Sequence, residues 1–291
     1  MNGILIVDKP QDFTSFDVVA VLRKILSTKK IGHGGTLDPL ATGVLPIFIG
    51  NATKIIDVIP NQDKKYIASF KLGISTSTYD ISGEILEEKK SFVPKELLLE
   101  SLNHFIGQIN QIPPMYSAIK INGQKLYHLA RQGKQIERPA RAVTIYDLNL
   151  LDFNPSLQEG KIEVLVSKGT YIRTLINDIG KILNVGATMT SLRRTQALGF
   201  DISKSYKIEE IKNLKNNNQL NSIIISPETA LPSLPKQILS DEALSKIMNG
   251  QKIKINLEKN IYYKIYNSSN EFCGIGFYKE DKHFKFKYIS K

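Results

Sequence analysis

Between Ile31 and Pro46 the chain reads IGHGGTLDPLATGVLP, with four glycines and two prolines in sixteen residues. No helix or strand tolerates that density of breakers, so an irregular loop is predicted there, followed by an apolar run over Val44–Ile49. The glycines let backbone approach a ligand closely. Pro39 disfavours helical geometry at Asp38 and fixes the turn after it. One carboxylate held in a stiff turn among glycines is a way to present a nucleophile or a base. An Asp that merely caps the next turn has the same composition.

The flanking segments read as ordinary secondary structure. Gly3–Val7 is a short buried strand, ended by Asp8-Lys9-Pro10. Thr14 or Ser15 caps a helix with Val18, Val19, Leu22, Ile25 and Leu26 as apolar positions and Lys29 and Lys30 at its C-terminal side. Tyr66, Ala68, Phe70 and Leu72 alternate on one face of a half-buried strand, and Thr76, Thr78, Asp80 and Gly83 follow in a polar loop. A helix is predicted over Pro94–Ile106, with Leu97, Leu98, Leu102, Phe105 and Ile106 as its stripe. Ile112–Ala118 is extended, and Leu126–Arg131 is a short helix ended by Gly133. Neighbouring strands span Val143–Phe153 and Lys161–Ser167. A helix over Tyr171–Leu183 turns Ile172, Leu175, Ile176, Ile179 and Ile182 inward. Lys212–Leu220, with Asn216-Asn217-Asn218, reads as an exposed loop. Beyond Pro232 and Pro235 a helix over Ser240–Met248 precedes short strands at Lys252–Leu257, Ile261–Tyr266, Gly274–Lys279 and Phe284–Ile289. Strands and helices mix without strict βαβ alternation, which predicts an α+β fold with a mixed, largely antiparallel sheet and flanking helices.

Length and composition set the outer bounds. At 291 residues the chain has room for one large domain and a small one, divided here into 1–231 and 232–291. No apolar run approaches the roughly 18 residues of a membrane span, so no membrane is expected. The N-terminus lacks the basic region of a signal peptide, and one cysteine, Cys273, excludes an intrachain disulfide. A cytoplasmic setting fits both. Net charge is +11, which favours a polyanionic partner such as nucleic acid. With 7 arginines against 32 lysines, a codon bias toward lysine explains the same excess.

Several reaction classes lose support. The sequence holds no G-x-x-x-x-G-K-[ST], no G-x-S-x-G and no H-E-x-x-H, and Gly32-His33-Gly34 lacks the third glycine of a dinucleotide fingerprint. His33, His104, His128 and His283 have no metal-ligand spacing. No metal and no cofactor are expected. A second candidate segment is Ser167-Lys168-Gly169-Thr170-Tyr171-Ile172-Arg173-Thr174, which puts Tyr171 and Arg173 at a strand-to-helix junction. A helix start with an exposed arginine is the plainer reading.

Taken in order, these stretches resemble the bacterial tRNA pseudouridine-55 synthases, the TruB family. The resemblance runs from Gly3-Ile4-Leu5-Ile6-Val7-Asp8-Lys9-Pro10 through Gly32–Gly43 and Tyr66. It continues through Pro113-Pro114-Met115-Tyr116-Ser117-Ala118-Ile119-Lys120 and Lys168–Arg173 to Leu192-Arg193-Arg194. Gly34 departs from the pattern, because many members carry Thr there.

The resemblance implies a pseudouridine-synthase-like catalytic domain and a small, β-rich, PUA-like RNA-binding module at 232–291. It implies an isomerase that converts uridine 55 in the tRNA T loop, with Asp38 as the essential catalyst. The position matching Tyr66 packs on the target base, and the one matching Arg173 pairs with the carboxylate. His33, Tyr171 and Leu192 match residues that line the RNA or base site, and Lys9 matches one near the pocket. The T stem-loop of tRNA is the expected partner, no protein partner is implied, and a monomer is expected. The tail carries 11 basic and 6 acidic residues, and Phe284-Lys285-Phe286-Lys287-Tyr288 alternates aromatic with basic. A catalytically silent RNA-binding protein, or a synthase for another RNA, shares the charge and the tail.

Overall fold

A computed structural model describes residues 1–121, 123–251, 253, 255, 257–258, 260–278 and 284–290. The first strand, β1 (Gly3–Lys9), leads into α1 (Ser15–Ile25). Thr14 caps α1: its hydroxyl accepts from Asp17 N at 3.0 Å, and the Asp17 carboxylate accepts from Thr14 N at 2.9 Å. Ser15 lies inside the helix. Its last turn carries Arg23 and Lys24, not Lys29 and Lys30, because the helix stops at Ile25.

The glycine-rich segment is shorter than its composition suggests. Its ends join β2 (Ile31–His33) and β3 (Thr42–Ile49), which leaves 34–41 as the irregular loop. Pro46 lies inside β3 opposite Ile6 of β1, and its carbonyl accepts from Gly34 N at 2.8 Å. A 3-10 stretch, Gly50–Val58, precedes β4 (Lys64–Leu72), whose buried positions are Tyr66, Ala68, Phe70 and Leu72, as the alternation predicts.

Next come the hairpin β5 (Ile74–Thr76) and β6 (Ile85–Glu88), α2 (Lys95–Asn103) and β7 (Gly107–Gln111). Leu98, Leu102 and Phe105 are buried around α2, but Leu97 and Ile106 face solvent. Residues 115–118 bend instead of continuing extended. A minimal hairpin, β8 (Lys120–Ile121) and β9 (Gln124–Lys125), leads to α3 (Leu126–Arg131). The long ribbon β10 (Arg141–Asn154) and β11 (Glu159–Val166) precedes α4 (Ile172–Ile182). Tyr171 is the N-cap of α4, and Ile182 is exposed at its far end. After β12 (Ala187–Ala197) and β13 (Phe200–Asp201), α5 (Ile208–Asn216) occupies much of the segment expected as a loop. Glu209 and Glu210 in its first turn favour helix there, and the Asn run supplies only its end.

Nine strands of the described residues form one sheet in the order β1-β3-β12-β4-β11-β10-β7, with β2 on β3 and β13 on β12. Every pairing is antiparallel except β3 with β12, which is parallel and joined only at Arg193↔Thr42 and Arg194↔Gly43. Gly43 sits in this seam at φ +103°, and a Cβ there would meet the Arg194 carbonyl at 2.2 Å. Helices α2 and α4 cover the β4–β11 region through Leu98, Leu102, Leu175, Ile176 and Ile179. Leu5 and Val7 of β1 pack toward α1 and α5, while Ile4 and Ile6 face the 3-10 stretch. Both faces being covered, β1 reads as a continuous apolar run.

The C-terminal residues form β14 (Lys236–Ile238), α6 (Asp241–Met248), β15 (Tyr262–Tyr266), β16 (Phe272–Tyr278) and β17 (Phe284–Ile289), with the strands in one sheet in that order. The strand expected over 252–257 falls partly outside the described residues, as do Lys279 and His283. Ile275 and Tyr288 of this sheet are buried in the same cluster as Ile4, Phe48 and Ile55.

Candidate active site

The 34–41 loop is tied down on every side. From α1, the Ser15 hydroxyl accepts from Leu37 N at 2.8 Å and lies 3.2 Å from Leu37 O. From β1, the Lys9 ammonium donates to the carbonyls of Pro10, Phe13 and Pro39 at 2.8, 2.6 and 3.3 Å. From β12, Arg194 donates to the carbonyls of Val44, Thr36 and Gly35 at 2.8, 3.3 and 3.2 Å. Ala41 N closes the turn on Asp38 O at 3.1 Å. Lys9 and Arg194 are both fully buried. Burial lowers the Lys9 pKa to about 8, against a smaller upward pull from Asp38. Their N–H groups are engaged by backbone carbonyls, which fixes the loop before any ligand arrives.

The held turn exposes one carboxylate. Asp38 keeps 38% of its side chain open, whereas its partner Arg173 keeps 5%, and Arg173 Nε lies 2.9 Å from Asp38 Oδ2. The rest of the guanidinium is also satisfied: Nη1 donates to Thr78 O at 3.1 Å and Nη2 to Tyr116 O at 2.8 Å. Gln111 fixes the start of α4, accepting from Tyr171 N at 2.8 Å and donating to Tyr171 O at 3.1 Å. Arg173 is therefore an interior residue with a fixed aim, not an exposed helix-start arginine.

A second carboxylate stands behind it. Asp80 Oδ2 is 3.6 Å from Arg173 Nε. Its Oδ1 accepts from the Thr78 hydroxyl at 2.7 Å, from Ser82 N at 3.0 Å and from the Ser82 hydroxyl. Thr76, Thr78 and Asp80, expected in a polar loop, are buried with their polar groups paired: the Thr76 hydroxyl donates to Asp80 O at 2.7 Å, and that of Thr78 to the Asp80 carboxylate.

A cleft of about 1650 Å³ opens over this pair, and Asp38, Tyr66, His33, Tyr171, Arg173 and Leu192 all line it. The end of β2, the loop, β4, β12 and the β11–α4 junction thus bring six of the expected residues to one place. Lys9, expected as substrate-binding, does not line the cleft: it lies behind the loop, where its ammonium serves three carbonyls. Burial raises the Tyr66 pKa, outweighing the nearby Arg194, and raises that of Tyr171, so both phenols are neutral near pH 7. Burial, assisted by Arg194, lowers the His33 pKa and keeps its imidazole neutral. Next to the Asp38–Arg173 pair the lining thus offers neutral ring faces, a setting suited to a flat heterocycle.

Asp80, Arg194, Ser15 and Lys64 are site residues that the sequence reading did not single out. Arg194 ends the Leu192-Arg193-Arg194 stretch that carries the resemblance, and Lys64 stands two residues before Tyr66, so strand alternation was the available signal for Lys64. Among the described residues no group of His, Cys, Asp and Glu is arranged to hold a metal ion. None of their helices is long and apolar enough to cross a membrane.

Three family models match consecutive parts of the chain: the TruB family pseudouridylate synthase N-terminal domain over 23–172, the tRNA pseudouridylate synthase B C-terminal domain over 173–232, and the pseudouridine synthase II TruB C-terminal model over 235–284. Among relatives, the tRNA pseudouridine synthase B of Clostridium tetani is 46% identical over 284 residues, covering 97% of this chain and 93% of that protein. The namesake from Clostridium kluyveri is 42% identical over 294 residues, covering 99% of each. The one from Dehalococcoides mccartyi is 41% identical over 277 residues, covering 94% and 92%. Among solved structures, a chain of a Cbf5–Nop10–Gar1 complex is similar with a TM-score of 0.70 at 26% identity, covering 99% of this chain and 84% of that one. A chain of an H/ACA ribonucleoprotein bound to a substrate RNA containing 2'-deoxyuridine shares the fold, with a TM-score of 0.72 at 23% identity over 99% and 85%. The matches span the glycine-rich loop, the Arg173 junction and the tail alike, and the chain belongs to the TruB family of pseudouridylate synthases.

Proposed function

We propose that this protein isomerises uridine to pseudouridine in tRNA, at position 55 of the T loop. Asp38 is the essential catalyst, Tyr66 packs against the target base, and Arg173 holds the carboxylate. The observation that carries this reading is the partly open Asp38 carboxylate, 2.9 Å from a buried guanidinium, in the floor of a cleft walled by Tyr66, His33, Tyr171 and Leu192. The target base leaves its stack to enter the cleft, at a cost of a few kcal/mol. His33, neutral and flat, fills the vacated place. The N1–C1′ bond breaks, the uracil turns, and C5–C1′ forms; C5 gives up a proton and N1 ends protonated. Atoms and electrons balance without a redox or group carrier. Asp38 serves as a nucleophile at C1′ or as a base in a glycal route.

Residues 1–231 make up the catalytic domain and 232–291 a PUA-like module that adds phosphate contacts. The protein acts as a monomer in the cytoplasm, and the T stem-loop is the part of tRNA it reads. Loop shape is the basis of that reading, since unpaired RNA loops are where proteins recognise sequence and form. The test is incubation with unmodified tRNA transcript and, separately, with a T-arm stem-loop, followed by chemical mapping of pseudouridine. Modification at position 55 in both supports the proposal. Tight binding without isomerisation identifies a silent RNA-binding protein instead, and a need for the anticodon arm refutes T-arm recognition.

A further inference from the structure

Alternation along β4 puts Lys64 on the same face as Tyr66, Ala68, Phe70 and Leu72. The last four are buried, whereas Lys64 stands half-buried at the open end and lines the cleft beside Tyr66, His33 and Gly35. Its neighbour Lys65, on the opposite face, pairs with Glu163 at 2.7 Å. Among the described residues Lys64 forms no ion pair. Its ammonium donates to Gln62 O at 3.1 Å, which leaves two N–H groups for another acceptor.

The charges around Lys64 are mostly of its own sign. Burial lowers its pKa to about 8, Arg194 and Lys168 push the same way, and Asp63 alone pulls upward. Arg194 and Lys64 flank Gly35: a Cβ placed there would lie 3.6 Å from Lys64 Cε and 3.7 Å from Arg194 Nη1. Arg194 donates to three carbonyls and, among the described residues, likewise forms no ion pair. Two cations without a counter-ion, set in a low-dielectric wall, focus a positive potential into the cleft.

We propose that Lys64, backed by Arg194, anchors one backbone phosphate of the RNA beside the nucleotide taken into the cleft. The inference rests on the reading of the protein as an RNA pseudouridine synthase and adds a positioning residue to it. A phosphodiester oxygen supplies the missing acceptor and the missing negative charge. It also stabilises the ammonium, so binding is strongest while Lys64 is protonated and weakens as pH rises through about 8. Lys9, whose pKa is also about 8, titrates in the same range behind the loop, so the pH profile of wild-type protein must be compared with that of an arginine variant.

The experiment uses full-length protein and unmodified tRNA transcript, with affinity measured against salt at pH 6.5 and pH 9 beside single-turnover rates. At pH 6.5, Lys64→Met is expected to bind about tenfold more weakly, with roughly 0.7–0.9 removed from the slope of log affinity on log salt. Its rate at saturating RNA falls less than its affinity. Lys64→Arg restores affinity to within about threefold and loses less of it between pH 6.5 and pH 9 than wild type does, because guanidinium stays charged. Unchanged affinity and slope in Lys64→Met overturn the inference, and so does a loss of rate with normal binding. Wild-type protein that binds tRNA but forms no pseudouridine refutes the enzymatic reading alone, and the binding arm still decides the role of Lys64. Wild-type protein that does not bind tRNA refutes both.

Discussion

Arg173 Nε lies 3.6 Å from Asp80 Oδ2, so a buried carboxylate shares the guanidinium that holds Asp38 at 2.9 Å. Asp80 is itself clamped by Thr78 and Ser82. With its side chain only 6% exposed, its part is to position the arginine. Asp80→Asn keeps the acceptor and loses the charge. Single-turnover rates should fall by about 10- to 100-fold, the scale of a small misplacement of a reacting group, with RNA affinity within about threefold of wild type. A loss of affinity matching the loss of rate would place Asp80 in RNA binding instead.

Asp38→Asn should abolish pseudouridine formation while RNA still binds, because the amide keeps the shape and loses both nucleophile and base. Arg173→Lys should lose at least about 100-fold in rate. Lysine cannot span Asp38, Asp80 and the carbonyls of Thr78 and Tyr116 together. Stability should also drop, by about 1–3 kcal/mol, since a buried acceptor among these partners loses its donor. Thermal melts beside the rate measurements separate the two effects.

Tyr66→Phe should keep fold and RNA affinity and lose most activity, whereas Tyr66→Leu should also weaken binding because no ring face remains. Full rates in both would make Tyr66 a core residue of β4 and nothing more.

The Asp38 turn and the β4 alternation were legible in sequence because both rest on local rules: proline and glycine stereochemistry in one, period two in the other. The Asp80–Arg173 contact was not, because it joins positions 93 residues apart (173 − 80) through backbone folding that no local pattern encodes. The resemblance put Lys9 near the pocket, but the side of the loop its ammonium takes is set by the carbonyls of Pro10, Phe13 and Pro39, which no local pattern encodes. Ile182 and Leu97 were counted as core because apolar stripes are wider than the surface that covers them. The Asn run that closes α5 misled for a related reason: Asn ends helices well but does not prevent their start.

Gly34 gives a prediction specific to this chain. A Cβ there would lie 2.4 Å from Leu198 Cδ1 and 2.9 Å from Phe48 Cε2. Gly34→Thr should therefore destabilise by about 1–3 kcal/mol. Adding Leu198→Ala should recover part of that loss, so denaturation of the four proteins in the double-mutant cycle should give a favourable coupling. Additive effects would mean that Leu198 yields without cost.

The tail is best tested by charge, not by deletion, because removing it would uncover Ile4, Phe48 and Ile55 where Ile275 and Tyr288 pack. Replacing Lys285 and Lys287 together with glutamine should lower the salt slope of tRNA binding by roughly 0.7–0.9 for each phosphate no longer neutralised. The maximal rate should fall less than the affinity. An unchanged slope would mean that these lysines are solvated surface.

The parallel seam between β3 and β12 has a mechanical consequence. With only two residue pairs in register, the ladder there offers little resistance to shear. Beside the packing of Ala197 and Leu198 on Val44 and Phe48, two adjacent arginines reach across the seam: Arg193 forks onto the Asp8 carboxylate at 2.8 and 3.1 Å, and Arg194 grips the far strand and loop through their carbonyls. Side chains thus act as rivets where backbone pairing runs out. The rivet at Arg194 fastens the same turn that carries Asp38. The seam and the turn that carries Asp38 thus share one fastening, so a change that frees Arg194 loosens both at once.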